Sequence, residues 1–301
     1  MKILVTGASG LLGIEICRQL KEADHEIWAV DNLSRSSTYP ACDRWMVADL
    51  ANPDSFQNFP TDFDQIYHYA AINGTKNFYE RPLQVLTSNF VADVNIFEFA
   101  ARCEKLNKLV YASSSEVVSD DPVSPTPERT DISIKDIHNA RWSYRLAKIC
   151  SENFLANSSL PYVMLRYFNI YGTNSKAGHF LADQIEKIKN GVFEIIGPEE
   201  TRSFCYVEDA VRATIFCADN AVKEVINIGN DQEITIAEAA KVIAQELGHP
   251  TENWEILPGK AGSTSTRRPD ITKLKSIMSG YNPLSFEQGV HEIVTNFLDK
   301  S

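Results

Sequence analysis

Residues 1–15, MKILVTGASGLLGIE, decide the fold. A short apolar run, Ile3 to Val5, enters a loop with Gly7, Gly10 and Gly13 at every third position, and Ile14, Cys17 and Leu20 then share one helical face. That order is strand, tight turn and helix N-terminus. Glycine lets backbone approach a ligand closely, and the free amides and positive dipole end of a helix favour a negative group such as a pyrophosphate. The loop therefore reads as a dinucleotide cradle. A second apolar run, Ile27 to Val30, ends in Asp31, about twenty residues beyond the loop, where a carboxylate meets an adenosine ribose 2'-hydroxyl.

Outward from that start, short apolar runs alternate with helical stretches as far as residue 168, the pattern of a parallel sheet flanked by helices. The runs are 3–6, 27–30, 44–48, 65–70, 108–113 and 162–167, and the longest helical stretches are 83–104 and 138–157. Asp49 follows the third run, at the carboxyl end of a strand, where ligands of open α/β sheets gather on the adenine side. Beyond Tyr167 the rhythm loosens: helix 180–190, strand 193–196, helix 207–220, strand 225–228, helix 236–247, strand 254–257, a polar loop 258–269 and two terminal helices. The expected fold class is thus α/β, a Rossmann-type doubly wound parallel sheet over 1–168, with strand 224–229 returning to it and a smaller lobe over 169–301.

Composition narrows the function classes. The chain has 301 residues, 44% apolar and 23% charged, as in ordinary globular proteins, so neither disorder nor a fibre is expected. The first apolar run is too short for a signal peptide and no stretch reaches bilayer length, so a cytoplasmic protein without membrane attachment is expected. A net charge of −11 repels a phosphate backbone, which argues against nucleic acid as a partner. The six cysteines form no C-x-x-C pair, and His68 has no companions at ligand spacing, so it reads as a core or strand histidine and no metal site is expected.

Tyr144 and Lys148 stand four apart in RWSYRLAKICSE, on one helical face. A tyrosine of ordinary pKa, about 10, is a poor base near neutrality, and lowering it by about three units takes about 4 kcal/mol, which a lysine and an oxidised nicotinamide ring can supply together. The fifth strand ends in Ser113, Ser114, Ser115 and Glu116, placing hydroxyls and a carboxylate at the carboxyl edge of the sheet.

Taken together the motifs resemble those of extended short-chain dehydrogenase/reductases of the NAD-dependent nucleotide-sugar epimerase/dehydratase type. TGASGLLG, VDNLS, Asp49-Leu50, YHYAA, Asn89, SSSEVV, SYRLAK, RYFNIYG, TRSFCYVED, VINIGN and RRPDITKLK carry the resemblance along the whole chain. It implies NAD as cofactor, with Tyr144 as the base, Lys148 on the nicotinamide ribose and Ser114 bonded to the reacting sugar oxygen. Asp31 and Asn32 would contact the adenosine ribose, and Ser9, Leu11, Leu12, Leu50, Ala70, Asn89 and Tyr167 would line the cofactor. Asn169 would touch a nucleotide-diphosphate sugar whose pyrophosphate is held by Arg202 and Arg267, in keeping with the fit of arginine forks to phosphate. A homodimer through the two long helices is implied as well. Two stretches depart or resist decoding: Val117-Val118-Ser119 where the family commonly has Val-Tyr-Gly, and Ile72 to Pro82.

The implied chemistry is oxidation at C4 to a 4-keto sugar, followed by epimerisation, by water loss, or by decarboxylation of a uronate. A dinucleotide sensor without turnover has no need of Tyr144, Lys148 and Ser114 together, and a reductase of small carbonyls has no need of the arginines. Glu116 lies two positions beyond Ser114, so in an extended segment both would face one side, making it the expected second group, acting at C5.

Overall fold

The computed structural model describes residues 1–118, 123–134, 136–176, 178–259 and 264–298, with backbone only for 296–298. Ser119 and residues 260–263 of the polar loop lie outside that set. The chain forms two compact units: Met1–Val117, Ile134–Arg166 and Val211–Ile226 make the first, and Val118–Ser133, Tyr167–Ala210 and Asn227–Ser301 the second.

Strand β1 (Lys2–Thr6) runs through the glycine loop into helix α1 (Leu11–Glu22), followed by β2 (Glu26–Asp31) and β3 (Arg44–Val47). The chain then returns to β4 (Gln65–His68), passes through α2 (Thr75–Glu80) and α3 (Pro82–Ala101) to β5 (Lys108–Ser114), and continues through α4 (Trp142–Ala156) to β6 (Tyr162–Tyr167). Next come β7 (Ile170–Tyr171), α5 (Phe180–Lys189), β8 (Glu194–Ile196), β9 (Thr201–Arg202), β10 (Cys205–Tyr206) and α6 (Val207–Asn220). The rest is β11 (Glu224–Ile228), β12 (Ile234–Thr235), α7 (Ile236–Glu246), β13 (Glu255–Leu257), β14 (Thr266–Arg267), α8 (Thr272–Ile277) and α9 (Phe286–Leu298).

Seven strands form one sheet in the order β11-β6-β5-β4-β1-β2-β3, with parallel pairing from β5 through β4, β1 and β2 to β3. This is the expected α/β, doubly wound architecture. Its strand order reverses between β1 and β4, and such a switch point opens a crevice at the carboxyl ends of the strands. Ile3, Leu4, Val5 and Ile66 are fully buried, as continuous apolar runs in a parallel sheet require. Leu4 and Ile66 belong with a core in which Phe56, Phe59, Phe63 and Phe99 pack edge to face or tilted.

Helix α4 begins at Trp142 rather than at 138. The Asp136 and Asn139 side chains accept from the His138 and Arg141 amides at 2.9 and 3.0 Å, local turns that compete with helix. The second unit has its own core, with Ile185, Phe204, Ile243, Phe286 and Val290. There α7 starts at a reciprocal capping box, Thr235 with Glu238. No helix of the described residues is long and apolar enough to cross a membrane.

Candidate active site

The crevice is built by glycine. Gly7 has φ +66°, and a Cβ there would lie 2.6 Å from the Ala70 amide nitrogen, so β1 and the end of β4 meet only because no side chain intervenes. A Cβ on Gly13 would fall 2.3 Å from the Gly7 carbonyl oxygen, which lets α1 start hard against the loop. That N-terminus carries neither a side-chain cap nor an acidic residue in its first turn, and the buried Ser9 hydroxyl in the loop has no partner. Unsatisfied donors over a closely approached backbone fit a dinucleotide pyrophosphate.

Asp31 ends β2 beside this loop and accepts from the Ser9 and Leu33 amides at 3.0 and 2.8 Å. Each oxygen retains acceptor capacity for a ribose hydroxyl. Arg35, whose charge would welcome a 2'-phosphate, instead donates to Asn73 Oδ1. NADP is therefore expected to bind at least about tenfold more weakly than NAD, about 1.4 kcal/mol, with Asp31→Ala narrowing the gap in a fluorescence titration. Equal binding by the wild type would remove Asp31 from the ribose.

Other residues expected to line the cofactor have local duties. Asn32 and Asp49 are exposed and fold into turns with Ser34 and Ala51. The Leu50 side chain lies in the core. Asn89 donates to the Ile72 carbonyl at 2.9 Å and accepts its amide at 2.7 Å, so it holds the loop after β4. Tyr167, at the end of β6, is buried.

Ser114, Glu116, Tyr144 and Lys148 all lie in the first unit. Glu116 does not arrive there by extended alternation, because residues 115–117 form a 3-10 turn. Its amide donates to Ser114 Oγ at 3.1 Å, and its carboxylate pairs with Arg141 at 3.0 Å. With its oxygen accepting that amide, the Ser114 proton is left for another acceptor, and Ser114 hydrogen-bonds Tyr144. The undecoded stretch 72–82 contains α2, from which Phe78 stacks on the Tyr144 ring at 5.1 Å and 17°.

The electrostatics differ from the sequence expectation. Burial first, then the charges of Asp93 and Glu116, push Tyr144 above its ordinary range, while Ser114 and Arg35 pull the other way. Lys148 is 3.6 Å from the carboxylate of Asp93, so its charge is compensated before it reaches the tyrosine. Sequence reasoning passed over Asp93. The available signal was a carboxylate in the apolar stretch VADVNIFEFA, one turn beyond Asn89.

In the second unit β9 and β14 are parallel neighbours with Arg202 opposite Arg267, so two guanidinium side chains leave one face of the ladder side by side. Arg202 donates to Glu200 Oε2 and the Thr201 carbonyl, both at 2.7 Å, and Arg267 to Thr264 Oγ1 at 3.1 Å. Asn169, at φ +43°, donates to the Ser203 carbonyl at 3.1 Å, next to Arg202. Among the described residues no group of three or more His, Cys, Asp or Glu could hold a metal.

The model of the NAD dependent epimerase/dehydratase family matches residues 3–229. A UDP-N-acetyl-alpha-D-glucosaminuronate decarboxylase of Bacillus cytotoxicus is 30% identical, covering 98% of this chain and 97% of the relative. Among solved structures, the UDP-glucose 4-epimerase of Thermotoga maritima superposes with a TM-score of 0.90 at 24% identity, over 100% of this chain and 99% of that one. A UDP-N-acetylglucosamine 4-epimerase from Methanobrevibacter ruminantium, in complex with UDP-N-acetylmuramic acid, has a TM-score of 0.85 at 25% identity, over 100% and 99%.

Proposed function

Because this chain belongs to the NAD dependent epimerase/dehydratase family, we propose that it oxidises C4 of a nucleotide-diphosphate sugar to the 4-ketone, and that the sugar is a uronate which then loses its C6 carboxylate as CO2. The observation that carries the first half is the buried Tyr144 with Ser114 hydrogen-bonded to it and Lys148 one turn away. Tyr144 takes the proton of the 4-hydroxyl and later returns it, and Ser114 holds the reacting oxygen. NAD, when bound over Gly7, Ser9, Gly10 and Gly13 with Asp31 at its ribose, supplies the hydride acceptor. Lys148 serves the nicotinamide ribose.

The second half follows from elementary chemistry. A C4 ketone makes a C6 uronate a β-keto acid, whose C5–C6 bond breaks without a base to remove a carbon-bound proton; the electron pair left on C5 then takes a proton. Water loss would instead need a free base at C5, whereas Glu116 is held by Arg141. The Bacillus cytotoxicus relative supports the uronate reading by its name. We assign to Glu116, an anion beside Arg141, the orientation of the water through which the proton reaches C5. Epimerisation at C4 is the second reading, favoured by the fold shared with the 4-epimerases. A dimer through α3 and α4 accompanies either reading, with Leu83, Val91 and Phe154 exposed along those helices.

Incubation of the NAD-loaded protein with UDP-glucuronate, its N-acetylated uronate counterpart, UDP-glucose and UDP-N-acetylglucosamine tests this. Mass loss of CO2 from a uronate is the expected result. Interconversion of neutral sugars with unchanged uronates would replace it by epimerisation.

Arg202→Ala or Arg267→Ala is expected to raise substrate KM about 10- to 150-fold, through loss of about 1.5–3 kcal/mol of charge-assisted bonding to a diphosphate. NAD affinity should stay unchanged in the same variants. Parallel weakening of both ligands would take these arginines away from the substrate.

A further inference from the structure

One buried carboxylate outside the reacting groups gathers donors from three other elements. Asp93, fully buried in α3, accepts from His68 Nε2 at 2.8 Å, from the Tyr111 hydroxyl at 2.6 Å and from Ser151 Oγ at 2.7 Å, and Lys148 Nζ is 3.6 Å away. The proton order is set by the carboxylate. The Asp93 carboxylate can only accept, so His68 donates to it from Nε2, and the neutral ring leaves Nδ1 to accept from the Thr6 hydroxyl at 2.6 Å, whose oxygen also takes the Ala70 amide at 3.3 Å. Burial keeps that imidazole neutral by pushing His68 below its ordinary range. The carboxylate is thereby tied to the ends of β1 and β4, to β5 and to α4.

Lys148 is buried as well, with the face of Tyr111 4.5 Å from its nitrogen. An unpaired buried ammonium is costly enough that it sheds its proton. The groups facing it are Asp93 from α3, Tyr111 from β5 and Glu152 from its own helix, with His68 from β4 behind Asp93 and Tyr144 one turn earlier on α4. Glu152 is already held by Arg166 at 2.7 and 2.9 Å and by Ser113 at 2.5 Å. That leaves Asp93 as the counter-charge of Lys148 among the described residues.

We propose that Asp93 is a positioning residue that acts through Lys148: held by His68, Tyr111 and Ser151, its carboxylate keeps the Lys148 ammonium charged and pinned one helical turn from Tyr144. This rests on the reading of Tyr144 and Lys148 as reacting groups, yet the charge state of Lys148 is measurable without substrate or turnover. Failure of one reading is therefore separable from failure of the other.

The test is a carbon-13 NMR titration of protein labelled at the lysine Cε, with the Lys148 signal assigned by its loss in Lys148→Arg. Burial holds Lys148 below its ordinary range while Asp93 pulls it back up, and in the wild type it is expected to be protonated at about pH 7. In Asp93→Asn its proton affinity should fall about tenfold or more, one pH unit or more at the midpoint, and Asp93→Ser should repeat the shift. An unchanged midpoint in either folded variant overturns the proposal. Should neither variant fold, the wild-type titration decides: a charged Lys148 supports the pairing, and a neutral one at about pH 7 overturns it.

Discussion

Tyr144→Phe is expected to cut turnover about 10²- to 10⁴-fold, the usual loss for an acid/base group, while NAD still binds. Phenylalanine preserves the ring that stacks on Phe78 at 5.1 Å, so the fold loses little beyond the Ser114 hydrogen bond, about 1 kcal/mol. The pH dependence adds a second signature. Burial, Asp93 and Glu116 all hold Tyr144 in its protonated form in the cofactor-free protein. Because the reaction needs the ionised base, kcat/KM of the wild type should rise with pH as Tyr144 ionises, and residual turnover by the phenylalanine variant should lack that rise. Turnover comparable to wild type would exclude Tyr144 as the base.

Glu116→Gln should separate the two halves of the reaction. Oxidation at C4 survives, reduced nicotinamide accumulates within the first turnover, and product formation falls about 10²- to 10⁴-fold because the water that carries the proton to C5 has lost the carboxylate that orients it. The same change removes one of the charges that raise Tyr144, so the acid limb of the oxidation step should move to lower pH. The variant also leaves the partly buried Arg141 without this partner, so its melting temperature should be recorded beside the rates. Product formation at the wild-type rate would reduce Glu116 to a structural partner of Arg141.

What could be read from the sequence was what neighbours in the chain determine. The strand, glycine loop and helix at residues 2–22 and the acid at the end of the next strand depend on local spacing, and the structure assembles them at the switch point between β1 and β4. Tyr144 and Lys148 share a face of α4 for the same reason. Strands β7, β9, β10, β12 and β14 are two residues each, too short for any periodicity, and exist through pairing with distant segments. Helix α2 was hidden in a polar stretch and is positioned by the stack of Phe78 on Tyr144. The 3-10 turn at 115–117 defeated the alternation rule for Glu116, and the pairing of Lys148 with Asp93 joins helices 55 positions apart. Local pattern predicts a helix face and leaves open which buried charge will stand beside it.

C4 oxidation with hydride return is tested most directly by a nucleotide-sugar substrate deuterated at C4, followed through product analysis by NMR. A hydride passed to bound NAD and given back leaves deuterium at C4 of the product, with reduced nicotinamide absorbing transiently and the appearance of product slowed by the isotope. Deuterium exchanged into solvent, or product formed with neither an isotope effect nor transient reduction of the cofactor, would contradict it.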